Sequence, residues 1–331
     1  MSTLITKLSS NGTLFTSVLL DEISYTINKI ALSAVYSAGF DEVTIKSAGG
    51  GLAKRETRNG QLLVSNYFDE VTYYIPPSTY TVQYLLVGGG GGGLYGGGGA
   101  GGTVFSTIRL TSGQTYNISV GAGGQGFYSG AYLPTNGGDT TAFNVIAYGG
   151  GAGSGSGSGN NGGSGGGGGS SSGGLGTTGQ GNNGGSAVSS RSGGGGGAGA
   201  VGGDGNAVSG GGVGGIGISN PILGSTVGQY YNGGYWIAGG GGGTGAPNSG
   251  SGGIGGGGNG DRFNGGGGVD NTGGGSGGGS SFTGNGGSGV VVLSIPTANY
   301  TGITTGNPNV TTYGSTTILA FTAVGTGSYT A

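Results

Sequence analysis

Six consecutive glycines at residues 88–93 follow the alternating stretch YTVQYLLV at residues 80–87 with no turn signal between them. Further runs of four or five stand at residues 96–99, 165–169, 193–197, 239–243, 255–258 and 265–268. Of the chain's 99 glycines, six precede residue 88 and five follow residue 289, so the intervening segment holds 88. A backbone that has shed its side chains this completely is either a flexible linker or a structure made of backbone alone. Ordering each residue costs about 1–2 kcal/mol of chain entropy, so any ordered form must offset that cost many times over.

Linkers of Gly/Ser type are compositionally smooth and join larger domains. Here the runs are broken at intervals by turn formers such as TTGQGNNGG at residues 177–185, and the segment is far larger than either flank. Those two features favour order. Glycine can enter extended threefold helical conformations, and an isolated threefold helix leaves every N–H and C=O pointing outward. Side-by-side packing of bare chains would pair those groups between neighbours, as burial demands. A run of five or six would span about 16–19 Å at roughly 3.1 Å per residue. Any side chain inside a run would wedge the chains apart, so non-glycine residues are expected at run ends and on outer surfaces.

The flanks are conventional. Residues 1–75 carry seven of the eleven acidic and six of the nine basic residues. They contain a repeat: NGTLFTSVLLDEIS (residues 11–24) and NGQLLVSNYFDEVT (residues 59–72) align without gaps, with a weaker copy in ALSAVYSAGFDEVT (residues 31–44). Asn-Gly is a tight hairpin-turn signal and the tails are β-branched or aromatic, so each copy predicts a short strand pair. Units this small bury little surface, and oligomerisation would supply the missing core. The repeated Asp-Glu pairs are read as solvated charges, because neighbouring side chains in a strand point to opposite faces.

Composition excludes several function classes. The net charge of −2 offers no field for a polyanion, and no lysine follows Lys54, so nucleic-acid binding is not expected. Histidine and cysteine are absent, which removes Ser-His and Cys-His catalysis and the common zinc sites. GxGxxG matches arise by chance in so much glycine, and none opens an amphipathic helix. Asp139, Asp204, Asp261 and Asp270 do not recur at the spacing of calcium-binding repeats. Seven prolines are too few for collagen. No apolar segment of signal-peptide or membrane-spanning length occurs. The expectation is a protein with no enzymatic activity, no cofactor, no metal and no membrane insertion.

In order along the chain, YLLVGGGGGG, GGGGAGG leading to YNISVGAGG, NGGDTTAF with AYGGGAG, YWIAGGGGG and GGSGVVVLSIP cover residues 80–296. This succession resembles the glycine-rich domain of bacteriophage tail-fibre and adhesin proteins, and the FDEV segments resemble parts of phage structural proteins. The fold class so implied is mainly β and irregular with almost no α-helix. Short strand repeats at residues 1–75 serve virion attachment and oligomerisation. A polyglycine-II bundle framed by strands fills residues 76–296, and a β tail closes the chain at residues 297–331. The resemblance further implies a virion-exterior protein that binds other virion proteins through its head. It would form a homo-oligomer, with a trimer favoured, and contact a host surface glycan or outer-membrane protein. A capsid decoration or head-fibre protein, with the glycine domain as a rigid spacer, would use the same parts.

Recognition would then fall to side chains between the runs. The receptor-binding candidates are Phe127, Tyr128, Tyr132, Tyr230, Tyr231, Arg262 and Phe263, because aromatic rings with polar tips suit sugar faces and protein epitopes. Tyr235 and Trp236 belong to the recurring YWIAGGGGG element and are expected to be structural caps at a bundle end.

Overall fold

The computed structural model describes residues 78–129 and 131–331, together with the course of eight strands between residues 5 and 74. The chain falls into two units, residues 1–80 with 110–114, and residues 81–109 with 115–331. Among the described residues the elements are strands with one short 3-10 turn, Thr297–Asn299, which agrees with a mainly β fold. In the first unit the strands pair two by two, antiparallel: Ile5–Leu8 with Leu14–Ser17, Ile23–Ile27 with Ile30–Ala34, Glu42–Lys46 with Leu52–Glu56, and Gln61–Ser65 with Glu70–Tyr74. The Asn-Gly turns and the aspartates of the repeated Asp-Glu pairs lie outside the described residues.

The second unit is built on two five-stranded sheets. One places Thr79–Val87 and Val290–Pro296 at its centre, flanked by Thr103–Thr111 on one side and by Thr316–Phe321 and Asn309–Tyr313 on the other. The other centres on Thr115–Val120, between Thr140–Ala142 and Gly325–Thr330. Strand Val290–Pro296 is buried on both faces, which is why VVVLSI is apolar at every position but Ser294. Leu85, Val87, Val290, Val292 and Ile318 pack with Ile222, Ile237 and Ala238 in one apolar cluster. Tyr84 meets Phe143 across to the second sheet with ring centroids 5.4 Å apart, and Phe143 meets Tyr116 at 5.6 Å. Residues 297–331, set apart as a tail on sequence grounds, form no separate layer: Thr316–Phe321 and Gly325–Thr330 each complete one of the sheets.

Above the sheets stands the glycine lattice, and its hydrogen bonds have a period of three. In residues 96–102, the N–H groups of Gly96, Gly99 and Gly102 donate to the carbonyls of Ser154, Gly151 and Tyr148. Those of Gly97 and Ala100 donate to Gly193 and Gly196, and those of Gly98 and Gly101 to Ser276 and Gly273. Every third residue therefore faces the same neighbour, as a threefold helix requires. Residues 88–94, 164–167 and 241 donate back to the carbonyls of this segment, which gives it six neighbours in all. Residues 88–93 behave likewise, donating to segments around 99–102, 135–138 and 287 and accepting from 150–153, 124 and 276. None of the glycines in residues 88–99 lies in the left-handed region, so the helices are of the extended type that L-residues also adopt. This is the polyglycine-II arrangement, a hexagonal bundle of glycine-rich helices running alternately away from the sheets and back.

The expectation that side chains are excluded from the lattice holds for large residues and fails for small ones. Ala100, Ala152, Ser164 and Ser276 are all buried within it. Hydroxyls can replace missing backbone partners: Ser276 Oγ accepts the Gly93 N–H at 2.6 Å, and the Oγ1 of Thr283, also buried, donates to the Gly93 carbonyl at 2.8 Å. A net 0.5–1.5 kcal/mol per hydrogen bond roughly cancels about 1–2 kcal/mol of ordering entropy per residue. The lattice is thus close to neutral by itself. The apolar sheets at its foot supply the surplus, at about 1.5–3 kcal/mol for each fully buried side chain such as Leu85, Leu293 or Leu319.

Candidate functional site

Because the helices alternate in direction, the residues between runs collect at two ends. The foot of the bundle carries the sheets. The opposite end, the tip, is made of the short connections after residues 93, 126, 153, 168, 185, 205, 243, 260 and 279.

Five of the seven recognition candidates meet at the tip. Three connections are laced together there. The Phe127 N–H donates to Thr283 Oγ1 at 2.6 Å and the Thr283 N–H to the Phe127 carbonyl at 2.9 Å, while Ser129 N–H reaches the Ser281 carbonyl at 3.1 Å. Ser281 and Phe282 N–H groups both donate to the Phe263 carbonyl, and Asn264–Gly265 pairs in parallel with Phe282–Thr283. Tyr128 and Phe282 pack edge to face at 6.3 Å, and the Arg262 guanidinium lies 5.5 Å from the Phe263 ring centroid. Tyr128, Tyr132 and Phe263 are each more than half exposed, so their contacts fix them without hiding them.

Asp261 sets the course of its connection. Its Oδ1 accepts the N–H groups of Phe263 and Asn264, both at 2.8 Å, in a turn of the Asx kind. The Asn264 and Phe263 N–H groups hold its carboxyl below the ordinary aspartate range. Beside these residues is an open pocket of about 370 Å³, whose lining includes Tyr95, Ser170, Ser190, Thr244, Arg262 and Ser280.

Tyr230 and Tyr231 do not join this group. They lie in the hairpin of Gln229–Tyr231 and Gly234–Ile237, whose inner end is the fully buried Ile237 of the apolar cluster at the foot. Asn232 at φ 47° and Gly233 at φ 83° form its turn, the backbone that Asn-Gly favours. Tyr230 packs on Tyr235 at 5.3 Å, and Tyr235 and Trp236 are half-buried. The run at residues 239–243 separates this hairpin from the tip by about 16 Å at roughly 3.1 Å per residue.

Sequence reasoning passed over Tyr95 and Phe282. The signal for Tyr95 was present: Leu94 and Tyr95 are the only residues between two glycine runs, and a break so short has to be a reversal at a bundle end. Among the described residues no group of three or more Asp, Glu, His or Cys is placed to hold a metal ion.

A family model described as a glycine-rich domain matches residues 65–296. No curated protein and no solved structure gives a significant match to the chain.

Proposed function

The chain belongs to the glycine-rich domain family, and from that premise we propose that it is a non-enzymatic bacteriophage virion protein, a tail-fibre or receptor-binding component whose tip loops contact the host cell surface. One observation carries the reading: Phe127, Tyr128, Tyr132, Arg262 and Phe263, drawn from two distant stretches of sequence, converge on the end of the bundle remote from the sheets. A frame whose interior helices are bonded to as many as six backbone neighbours holds these loops in place, so little ordering cost remains to be met on binding. Exposed tyrosine and phenylalanine rings supply large contact area with few rotatable bonds. Residues 1–75 attach to other virion proteins, and a homo-oligomer, a trimer, would present several tips at once and multiply a weak contact.

The test uses intact particles. Substituting Tyr128, Tyr132 and Phe263 with serine is expected to slow adsorption about tenfold or more, the equivalent of roughly 1.4 kcal/mol. The pair Tyr230→Ser and Tyr231→Ser, at the foot, is expected to leave adsorption unchanged. The opposite pattern overturns the tip assignment. Antibody label on the capsid shell instead of the tail favours a decoration protein.

A further inference from the structure

The tip pocket has its own chemistry. Its volume of about 370 Å³ falls in the range of roughly 300–1,000 Å³ typical of small-ligand sites. One arginine, Arg262, lies in its lining, and a second, Arg191, is bonded to the lining residue Ala246. Arg191 braces the wall, donating from Nε to the Ala246 carbonyl at 2.9 Å and from Nη1 to the Ser189 carbonyl at 2.7 Å. Arg262 lines the pocket directly, and its guanidinium makes no hydrogen bond to any described residue. No acidic side chain lines the pocket, and the nearby Asp261 carboxylate is held by the Phe263 and Asn264 N–H groups. The remaining lining is Tyr95, 39% exposed, four hydroxyl residues besides Ser280 (Ser170, Ser190, Ser192 and Thr244), and three glycines with Ala246. Ser280 Oγ already donates to the Arg262 carbonyl at 2.8 Å, which leaves its lone pairs free to accept.

We propose that this pocket binds an acidic sugar unit of a surface polysaccharide, with its carboxylate on the Arg262 guanidinium, its ring against Tyr95 and its hydroxyls among Ser170, Ser190, Thr244 and Ser280. The assignment rests on the recognition reading above and narrows it to one ligand class. A guanidinium with an unused fork of donors matches a carboxylate in two parallel hydrogen bonds. An open pocket of mixed polar and apolar lining, with one aromatic residue and several hydroxyl residues, matches a pyranose, which has an apolar face and a rim of hydroxyls. A phosphate would use the arginine and neighbouring hydroxyls but leave the Tyr95 ring without a role.

The test is isothermal titration of the full chain with glucuronate, glucose and inorganic phosphate. Glucuronate is expected to bind with a dissociation constant on the order of 1 mM, and the other two at least about tenfold more weakly. Arg262→Gln and Tyr95→Ala are each expected to weaken glucuronate about tenfold with the thermal midpoint unchanged, and Arg262→Lys to restore only part of the loss, because a point charge cannot supply the fork. Equal binding of phosphate or glucose, or full affinity in Arg262→Gln, overturns the proposal. Adsorption to cells separates the two claims. A chain that binds cells but is not displaced by glucuronate refutes the pocket assignment and leaves the tip reading standing. A chain that binds glucuronate but no cells does the reverse.

Discussion

The lattice makes its sharpest prediction at Gly98. A Cβ built there would lie 2.1 Å from the Gly91 carbonyl oxygen, 2.7 Å from its carbon and 3.1 Å from the Ser276 nitrogen. Ser276 N–H donates to that same Gly91 oxygen at 3.0 Å, so the methyl group of an alanine would stand against an existing hydrogen bond. Ordinary contact needs about 3.4 Å or more, and the atoms in the way are backbone, so neighbouring helices must part by more than an ångström. Overpacking of that kind costs about 1–3 kcal/mol, and leaving a buried donor and acceptor unpaired adds about 1–3 kcal/mol. Gly98→Ala is therefore expected to cost about 2–6 kcal/mol, a fall in thermal midpoint on the order of 10 °C for a unit of this size. Gly157 is the control. A Cβ there meets only Ser154 Oγ at 3.6 Å, so Gly157→Ala is expected to raise stability by about 0.4–1 kcal/mol through the unfolded chain's lost freedom. Differential scanning calorimetry on the full chain reads both. Midpoints for the two variants that agree within about 1–2 °C would refute the claim that side-chain exclusion holds the bundle together.

Other substitutions separate the remaining forces. Ser164 Oγ is buried with no hydrogen-bond partner, so Ser164→Ala should stabilise the protein by about 1–3 kcal/mol, seen as a raised calorimetric midpoint. At Gly233 nothing lies within 4 Å of an added Cβ, and φ is +83°. Gly233→Ala should therefore cost only about 1–2 kcal/mol, a backbone penalty without a clash, measurable by urea titration. Asp261 has a lowered pKa in the folded chain, so its contribution is present above the ordinary aspartate value and is lost as pH falls through the lowered one. Protection of the Phe263 and Asn264 amides, measured as the slowing of exchange relative to the free chain at the same pH, should fall as Asp261 is protonated, and Asp261→Ala should show the lost protection already at neutral pH.

The backbone's role was legible in the chain because it follows from local chemistry. Residues 88–93 have no side chains, so their N–H and C=O groups must find partners in other segments, and an extended threefold helix is the form that lets them do so. The buried strand at residues 290–296 was legible for a similar reason, since VVVLSI has no polar face to offer water. Small residues in the lattice were not. Whether a serine fits depends on what stands opposite, and Ser276 is tolerated because the Gly93 N–H, at the end of its own run, has Ser276 Oγ to donate to.

The candidate site divides in the same way. That recognition would fall to aromatics between runs is a statement about which residues have side chains at all, and composition decides it. Which of those aromatics share a surface depends on whether each run carries the chain towards the sheets or away from them. That direction is invisible locally, because a glycine helix has the same sequence whichever way it runs. Tertiary hydrogen bonding alone placed Phe127, Tyr128 and Tyr132 beside Arg262 and Phe263, brought Tyr95 to their pocket, and left Tyr230 and Tyr231 at the opposite end.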